Sequence, residues 1–424
     1  MNPYNEHIRW AMALSFLEGL GPISMQRLAQ SIHDDLPSLH SLPLSAAVLA
    51  AGRTHSRVRI PLKGWPELLH KADLALTMAE RHCIQVIWHE DASFPIRLRR
   101  DRMPDGPLVL YVRGDATCLH SARSLAVVGT RKPTAYGMAV TDLWVEALAP
   151  AQPTLISGLA FGIDSAAHRA ALRWGLPTVA VLAHGLHTVQ PQAHYRLADS
   201  ILQEGGCWVS ELPWGVDPES GRFPQRNRLI AALGDAVFIP EAGCHSGTLI
   251  TARMAMDYNK PVYAVPGRID DAMSEGCLAL LTSEKSQMAF RPAQFLEDLH
   301  WNGATSESVL ATAPNGCALA ILEALKTMEG KRKRAGPLSF KREYMHRLCP
   351  GWAKSQINHS LRYLELQGQV KYNAELDIYS SSSASISAEA MSPSPASSSS
   401  EESSSSPIKA SAGVVAATAS RSSR

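Results

Sequence analysis

The stretch Leu125-Ala126-Val127-Val128-Gly129-Thr130-Arg131-Lys132 decides the fold. Four apolar residues bounded by a glycine, a hydroxyl and two cations read as a buried strand opening onto a polar turn. Five similar runs follow: Thr154-Leu155-Ile156, Val179-Ala180-Val181-Leu182, Trp208-Val209, Ala236-Val237-Phe238-Ile239 and Val262-Tyr263-Ala264-Val265. Helical stretches separate them. Continuous rather than alternating apolar runs imply strands buried on both faces, hence a parallel sheet covered by helices. Right-handed crossovers then bring every strand's carboxyl end to one edge, where such sheets bind ligands. The fold class is α/β: a Rossmann-like parallel sheet core, with a helical domain before it and a winged-helix domain after it.

Polar residues gather at those ends. The first strand runs into Gly129, Thr130, Arg131 and Lys132, and the second into Ser157 and Gly158, with Gly162 and Asp164 opening the next helix. The third ends at Ala183-His184-Gly185 and is followed by Pro191-Gln192-Ala193-His194-Tyr195-Arg196. The fourth ends at Ser210-Glu211, the fifth at Glu241-Ala242-Gly243 before Ser246-Gly247-Thr248, and the sixth at Pro266-Gly267. Glycines admit a ligand close to the backbone, and hydroxyls with N–H groups at helix starts bind phosphate oxygens. Neither a G-x-G-x-x-G after the first strand nor a G-x-x-x-x-G-K-[ST] anywhere is present, which excludes the standard dinucleotide and P-loop pockets. Between the fourth and fifth strands stands Arg222-Phe223-Pro224-Gln225-Arg226-Asn227-Arg228, a set suited to phosphates and a stacked base. The expected DNA-binding set is therefore Gly129, Thr130, Arg131, Lys132, Ser157, Gly158, Arg196, Phe223, Arg226, Asn227, Arg228, Ser246, Gly247 and Thr248. Asp164 is expected to cap a helix and His168 to brace the site.

The flanks differ in character. Residues 1–75 read as helices around Gly19-Leu20-Gly21-Pro22, the outline of a helix-hairpin-helix, with a structural role favoured. Residues 76–300 form the core domain. Residues 315–379 carry eleven Lys/Arg against six Asp/Glu, so the basicity of a chain with net charge +2 is concentrated there. Their pattern is three helices and a β-wing, Val370-Lys371-Tyr372 with Ile378-Tyr379. In a winged helix the third helix would present Lys354, Gln356, Asn358 and Arg362, and the module suits DNA binding and protein docking equally. Residues 380–424 are Ser-rich and expected to be disordered.

The seven cysteines form no C-x-x-C pair, and no apolar run is long enough to span a bilayer. No signal peptide is apparent at the start. These features point to a cytoplasmic protein without structural disulfides or metal.

The motifs together resemble the DNA-processing protein A family (DprA/Smf). The matching stretches are Val127-Val128-Gly129-Thr130-Arg131, Ser157 through Asp164 to Ala167-His168, and Phe223-Pro224 with Arg226-Asn227-Arg228. Glu241-Ala242, Ser246 through Arg253, Val265-Pro266-Gly267, and the lead-in Phe94-Pro95 to Arg113-Gly114 also match. The family's first motif is usually Gly-Ser-Arg, and Thr130 keeps the hydroxyl. The resemblance implies a non-catalytic, homodimeric protein without cofactor that binds incoming single-stranded DNA, shields it and helps load RecA during natural transformation and recombination. The competing class is a nucleotide-binding or nucleotide-hydrolysing Rossmann-like enzyme. Phosphoribohydrolases of related fold carry a Glu where Thr251 stands here, and a hydroxyl cannot replace that carboxylate as an acid–base group near neutral pH.

Overall fold

The computed structural model describes residues 6–52, 58–283, 286–301, 315–330, 339–340, 342–349, 370–373 and 378–381, with Ile357, Ser360, Leu361 and Leu364. Six strands form a parallel array: β3 (Ser124–Val127), β4 (Thr154–Ser157), β5 (Thr178–Val181), β6 (Cys207–Ser210), β7 (Ala236–Ile239) and β8 (Val262–Ala264). They coincide with the six apolar runs. Two strands with no counterpart among those six runs, β1 (Ile84–Trp88) and β2 (Val109–Gly114), extend the sheet beyond β6, β2 antiparallel to β6 and β1 antiparallel to β2, and β9 (Gln287–Met288) closes the far edge. The order is β1-β2-β6-β5-β4-β3-β7-β8-β9. From β3 the chain winds outward through β4, β5 and β6, then returns to the other side of β3 as β7. The topological switch point therefore lies between β3 and β7, where open α/β sheets form a crevice.

Alternation along β3 assigns the two faces. Leu125 and Val127 pack with Trp144, Val145 and Leu148 of α5 (Ala135–Leu148) and with Ala167 and Ala170 of α6 (Ile163–Arg173). Ala126 and Val128 belong to the core built by Leu229, Ile230 and Leu233 of α8 (Arg222–Leu233) and Ala252 and Ala255 of α9 (Thr248–Asp257). On the first face Trp144 lies against Phe238 with ring centroids 4.6 Å apart and edge-on to Phe295 at 5.5 Å. Such aromatic pairs add about 0.5–1.5 kcal/mol beyond area burial.

At the front, α1 (Glu6–Ser15) and α2 (Pro22–Ser31) are joined through Gly19 (φ 90°) and Gly21, with Pro22 in the first turn of α2, so the helix–glycine–helix outline is present. These helices share their core with the sheet: Trp10, Leu14 and Leu28 pack in one cluster with Val86, Trp88, Tyr111 and Trp208. Polar links reinforce the junction. Arg100 forks Asp34 and donates from Nε to Gln26 at 2.6 Å, while Gln26 Nε2 donates to the Gly106 carbonyl at 2.9 Å. Helix α4 (Trp65–Arg81) runs past residue 75 into β1.

Near the carboxyl end, helices Asn315–Gly330 and Arg342–Leu348 accompany a small antiparallel sheet ordered β10 (Ser339–Phe340), β12 (Ile378–Ser381), β11 (Val370–Asn373). The two strands expected as a wing pair with each other, Tyr372 opposite Tyr379. Ile357, Leu361 and Leu364 are helical and fully buried, at the spacing read from the sequence. Lys354, Gln356, Asn358, Arg362 and residues 382–424 lie outside the described residues.

Candidate nucleic-acid interface

A cavity of about 620 Å³ opens at the switch point. The turn after β3 supplies Gly129, Thr130, Arg131 and Lys132 to its wall, and the loop after β7 supplies Gly243 through Thr248. Ala160 and Asp164 enter from beyond β4, Arg226 and Asn227 from α8, and Met273 and Glu275 from the segment after β8. The ends of β5 and β6 do not reach this wall, so fewer strand ends converge than their sequence suggested.

The turn after β3 is locked by backbone bonds. Thr130 N–H donates to the Glu241 carbonyl at 2.9 Å, and Thr130 C=O accepts from Ile163 N–H at 3.2 Å. Gly129 is required by space: a Cβ there would fall 2.5 Å from Ile163 Cγ1. Gly162 has φ 81°, and a Cβ on it would meet the Thr130 carbonyl at 2.2 Å. The outcome is that Arg131 and Lys132 project into solvent at the cavity mouth, exposed and without an ion pair among the described residues.

Arg226 behaves differently. It is 4% exposed. Its Nη1 donates to the carbonyls of Gly158, at 2.9 Å, and Val181, and its Nε donates to Asn227 Oδ1 at 3.2 Å. Among the described residues no carboxylate lies within ion-pair distance of it, although Asp164 is close enough to interact electrostatically. Burial lowers the Arg226 pKa to about 10, so it remains a cation at neutral pH. Burial likewise raises the Asp164 carboxyl above the usual carboxylate range, against the pull of Arg226. Arg226 is hydrogen-bonded only to neutral oxygens, with Asp164 acting on it through space, and an anion in the adjoining cavity would complete its shell.

Several residues are placed otherwise than expected. Arg228 is buried and absent from the cavity wall: it pairs with Glu211 and donates to the Asp105 carbonyl, with its Nε 3.9 Å from the Asp105 carboxylate. Its charge is spent inside the fold and is not offered to phosphate. Ser157 donates its hydroxyl to the Val127 carbonyl at 2.7 Å, and Gly158 N–H donates to Asp164 at 3.2 Å, so both serve the sheet end itself. Asp164 does not cap α6. The capping position is Gly162, which has no side chain, and Asp164 instead receives Gly158 from within the first turn. Ser246 and Thr248 are bonded to each other, hydroxyl to hydroxyl at 2.8 Å, across the exposed Gly247 at the start of α9. His168 is fully buried beside Thr178, its Nδ1 2.7 Å from the hydroxyl, and burial lowers its pKa to about 3.

Phe223 is half-buried under two cations, with the guanidinium carbons of Arg131 and Arg226 5.7 and 5.9 Å from its ring centroid. It holds those guanidinium groups in place by cation–π attraction. Arg196 is exposed on α7 (Tyr195–Gln203), outside the cavity wall. Two residues were not singled out by their sequence, one in the cavity wall and one outside it. Thr251 lies in the wall, 1% exposed, with a hydroxyl that has no partner among the described residues. Phe161 stands on the loop before α6, 51% exposed. The spacing Ser246-x-Thr248-x-x-Thr251, which puts the last hydroxyl one turn into α9, was the available signal for Thr251.

The Glu241 carboxylate is engaged within the fold. It is 1% exposed, and its two oxygens accept the N–H of Thr134 at 2.8 Å and the Thr134 hydroxyl at 2.6 Å. It thereby fastens the start of α5 to the end of β7.

The fold and the cavity define a doubly wound α/β protein with a cation-lined crevice at its switch point and neither a P-loop nor a dinucleotide fingerprint. The model of the DNA recombination-mediator protein A family matches residues 85–300, half of the chain, and the chain belongs to that family, DprA/Smf. Protein Smf of Escherichia coli is 43% identical over 201 residues, 46% of this chain and 53% of that protein. Protein Smf of Synechocystis is 34% identical over 280 residues, 65% of this chain and 69% of its own length. The X-ray structure of DNA processing protein A from Streptococcus pneumoniae is 27% identical, with a TM-score of 0.57, covering 69% of this chain and 98% of that one. The chain thus matches only about half the length of the Escherichia coli relative. No described helix is long and apolar enough to cross a membrane.

Proposed function

We propose that this chain is a single-stranded DNA-binding protein acting at the switch-point cavity, that it is not an enzyme, and that it protects incoming DNA and helps load RecA as a cytoplasmic homodimer. The observation that carries the DNA part is the Arg226 cation, buried beside the cavity without an ion-pair partner among the described residues, next to exposed Arg131 and Lys132. Sequence-independent binding to single strands needs phosphate neutralisation and base stacking, and Phe223 beneath two guanidinium groups joins the two at one place. The DNA contacts are Gly129, Thr130, Arg131, Lys132, Arg196, Phe223, Arg226, Asn227, Ser246, Gly247 and Thr248, with Thr251 added. The non-enzymatic reading is supported by Glu241, whose carboxylate is occupied by Thr134, and by the hydroxyl of Thr251 in place of an acid. RecA loading, dimerisation and the winged-helix assignment rest on the family relationship and the small three-stranded sheet beside two helices.

The test is fluorescence-anisotropy titration of a labelled single strand at several salt concentrations, with a duplex of equal length and with nucleoside monophosphates. Salt-sensitive binding that prefers single strands and weakens in Arg131→Ala is the expected result. Absence of single-strand binding, with a nucleoside monophosphate hydrolysed instead, would replace this reading with the enzymatic one.

A further inference from the structure

We infer that Phe161, whose ring partner His194 is followed in the chain by exposed Tyr195 and Arg196, forms a second single-strand contact outside the cavity, a platform on which a base is laid as the strand leaves Arg131. The inference rests on the proposed single-strand binding. Phe161 is half exposed, although a loop residue between a buried leucine and a helix start gains nothing from showing an aromatic ring to water. The loop is held to do so. Leu159 adopts φ 58° and Gly162 φ 81°, left-handed conformations that reverse the chain on both sides of the ring. For a non-glycine residue such a conformation persists only where the surroundings impose it. Leu159 is fully buried, and its carbonyl lies 2.8 Å from His194 Nδ1.

The same loop touches both neighbouring contacts. A Cβ on Gly162 would fall 2.8 Å from Arg131 Cα, so the loop lies against the backbone of the residue at the cavity mouth. On the other side the Phe161 ring meets the buried His194 ring at 4.9 Å and 66°, which steadies its edge. The next two residues, Tyr195 (62% exposed) and Arg196, are both exposed. The exposed Phe161 ring thus stands on a loop that abuts Arg131 on one side, and exposed Tyr195 and Arg196 follow its ring partner His194 in the chain on the other. An exposed ring next to a cation is the combination on which a phosphate chain lays a splayed base, and a flat apolar protein partner would not need the cation.

Two oligothymidylates test this, one just long enough to fill the cavity and one several times longer. They are titrated against wild type, Phe161→Ala, Phe161→Trp and Arg131→Ala. Phe161→Ala is expected to bind the long strand about five- to 150-fold more weakly, the range for losing one stacked base, with the short strand and the salt slope unchanged. Phe161→Trp is expected to keep wild-type affinity and to show extra indole quenching by the oligonucleotide, relative to wild type, but none by inorganic polyphosphate. Equal long-strand affinity of Phe161→Ala and wild type, with Arg131→Ala impaired, overturns this inference and leaves the proposed function standing. Failure of wild type itself to bind removes both. Should Phe161→Ala melt early, the quenching of Phe161→Trp decides, and its absence counts against the platform.

Discussion

Arg226 Nη1 donates to the carbonyl of Gly158 at 2.9 Å, and this one bond ties α8 to the carboxyl end of β4 across the bottom of the cavity. The contact exists because residue 158 has no side chain: a Cβ there would fall 2.6 Å from Arg226 Nη2 and 2.8 Å from Asp164 Oδ2. Gly158→Ala is therefore expected to displace a buried cation and a buried carboxyl together. Urea unfolding should show a loss of about 1–3 kcal/mol, the usual cost of overpacking, and single-strand affinity should fall with it. Unchanged stability would mean that Arg226 moves freely and is not a fixed part of the site.

Arg131 and Arg228 separate binding from folding. Arg131 is exposed at the cavity mouth, so Arg131→Ala should leave stability within about 0.5 kcal/mol. It should flatten the salt dependence of single-strand binding by about 0.7 in log–log slope for the phosphate it no longer neutralises. Arg228→Ala leaves the part-buried Glu211 carboxylate without its cation and the Asp105 carbonyl without its donor, while the Asp105 carboxylate keeps the Tyr258 hydroxyl, and should cost about 1–3 kcal/mol, read from the urea midpoint. Its remaining folded fraction should bind DNA with nearly wild-type affinity.

Glu241 and Thr134 make a similar prediction for α5. Glu241→Ala removes the acceptor for both the N–H and the hydroxyl of Thr134, leaving two donors at a helix start without it. A destabilisation of about 1–3 kcal/mol is expected from a thermal or urea melt, the penalty for orphaned buried polar groups. No nucleotide-hydrolysing activity should disappear with it.

The buried histidines set the acid limit. Burial lowers the pKa of His168 to about 3 and that of His89 to about 4, against 6.5 when unfolded. Between those values the unfolded chain binds more protons than the folded one, so stability rises with pH through the window and is lost as pH falls from about 6.5. The melting temperature should drop steadily from neutral pH toward pH 4. His168→Gln, which cannot titrate, should be less stable at pH 7 yet show a shallower slope. An identical slope in the variant would assign the acid sensitivity to other groups.

Much of the architecture was legible because its signals are local. Each of the six parallel strands is a short, largely apolar run that ends in a turn carrying glycine or polar residues, and the helices between them supply the crossovers. The antiparallel strands β1 and β2 lie outside that strand–helix alternation: residues such as Val86 and Tyr111 pack on the front helices, and no crossover helix between the two marks them in the sequence. At the site, Gly129, Thr130, Arg131 and Lys132 were readable as a strand end opening on a ligand. The neighbouring cluster Arg226-Asn227-Arg228 was readable as basic but not as two residues with opposite roles.

The sequence by itself determined the parallel sheet, the edge on which its polar turns collect, and the family, since these depend on the order and spacing of residue types. Tertiary structure alone decided which charges remain available. Arg226 and Arg228 are two residues apart on one helix, yet the first hydrogen-bonds only neutral oxygens, with Asp164 acting on it through space, while the second pairs with Glu211 and reaches the distant Asp105. Counter-charge and burial come from chain segments brought together by folding, and the free energy of a cation is set by those neighbours rather than by its place in the motif.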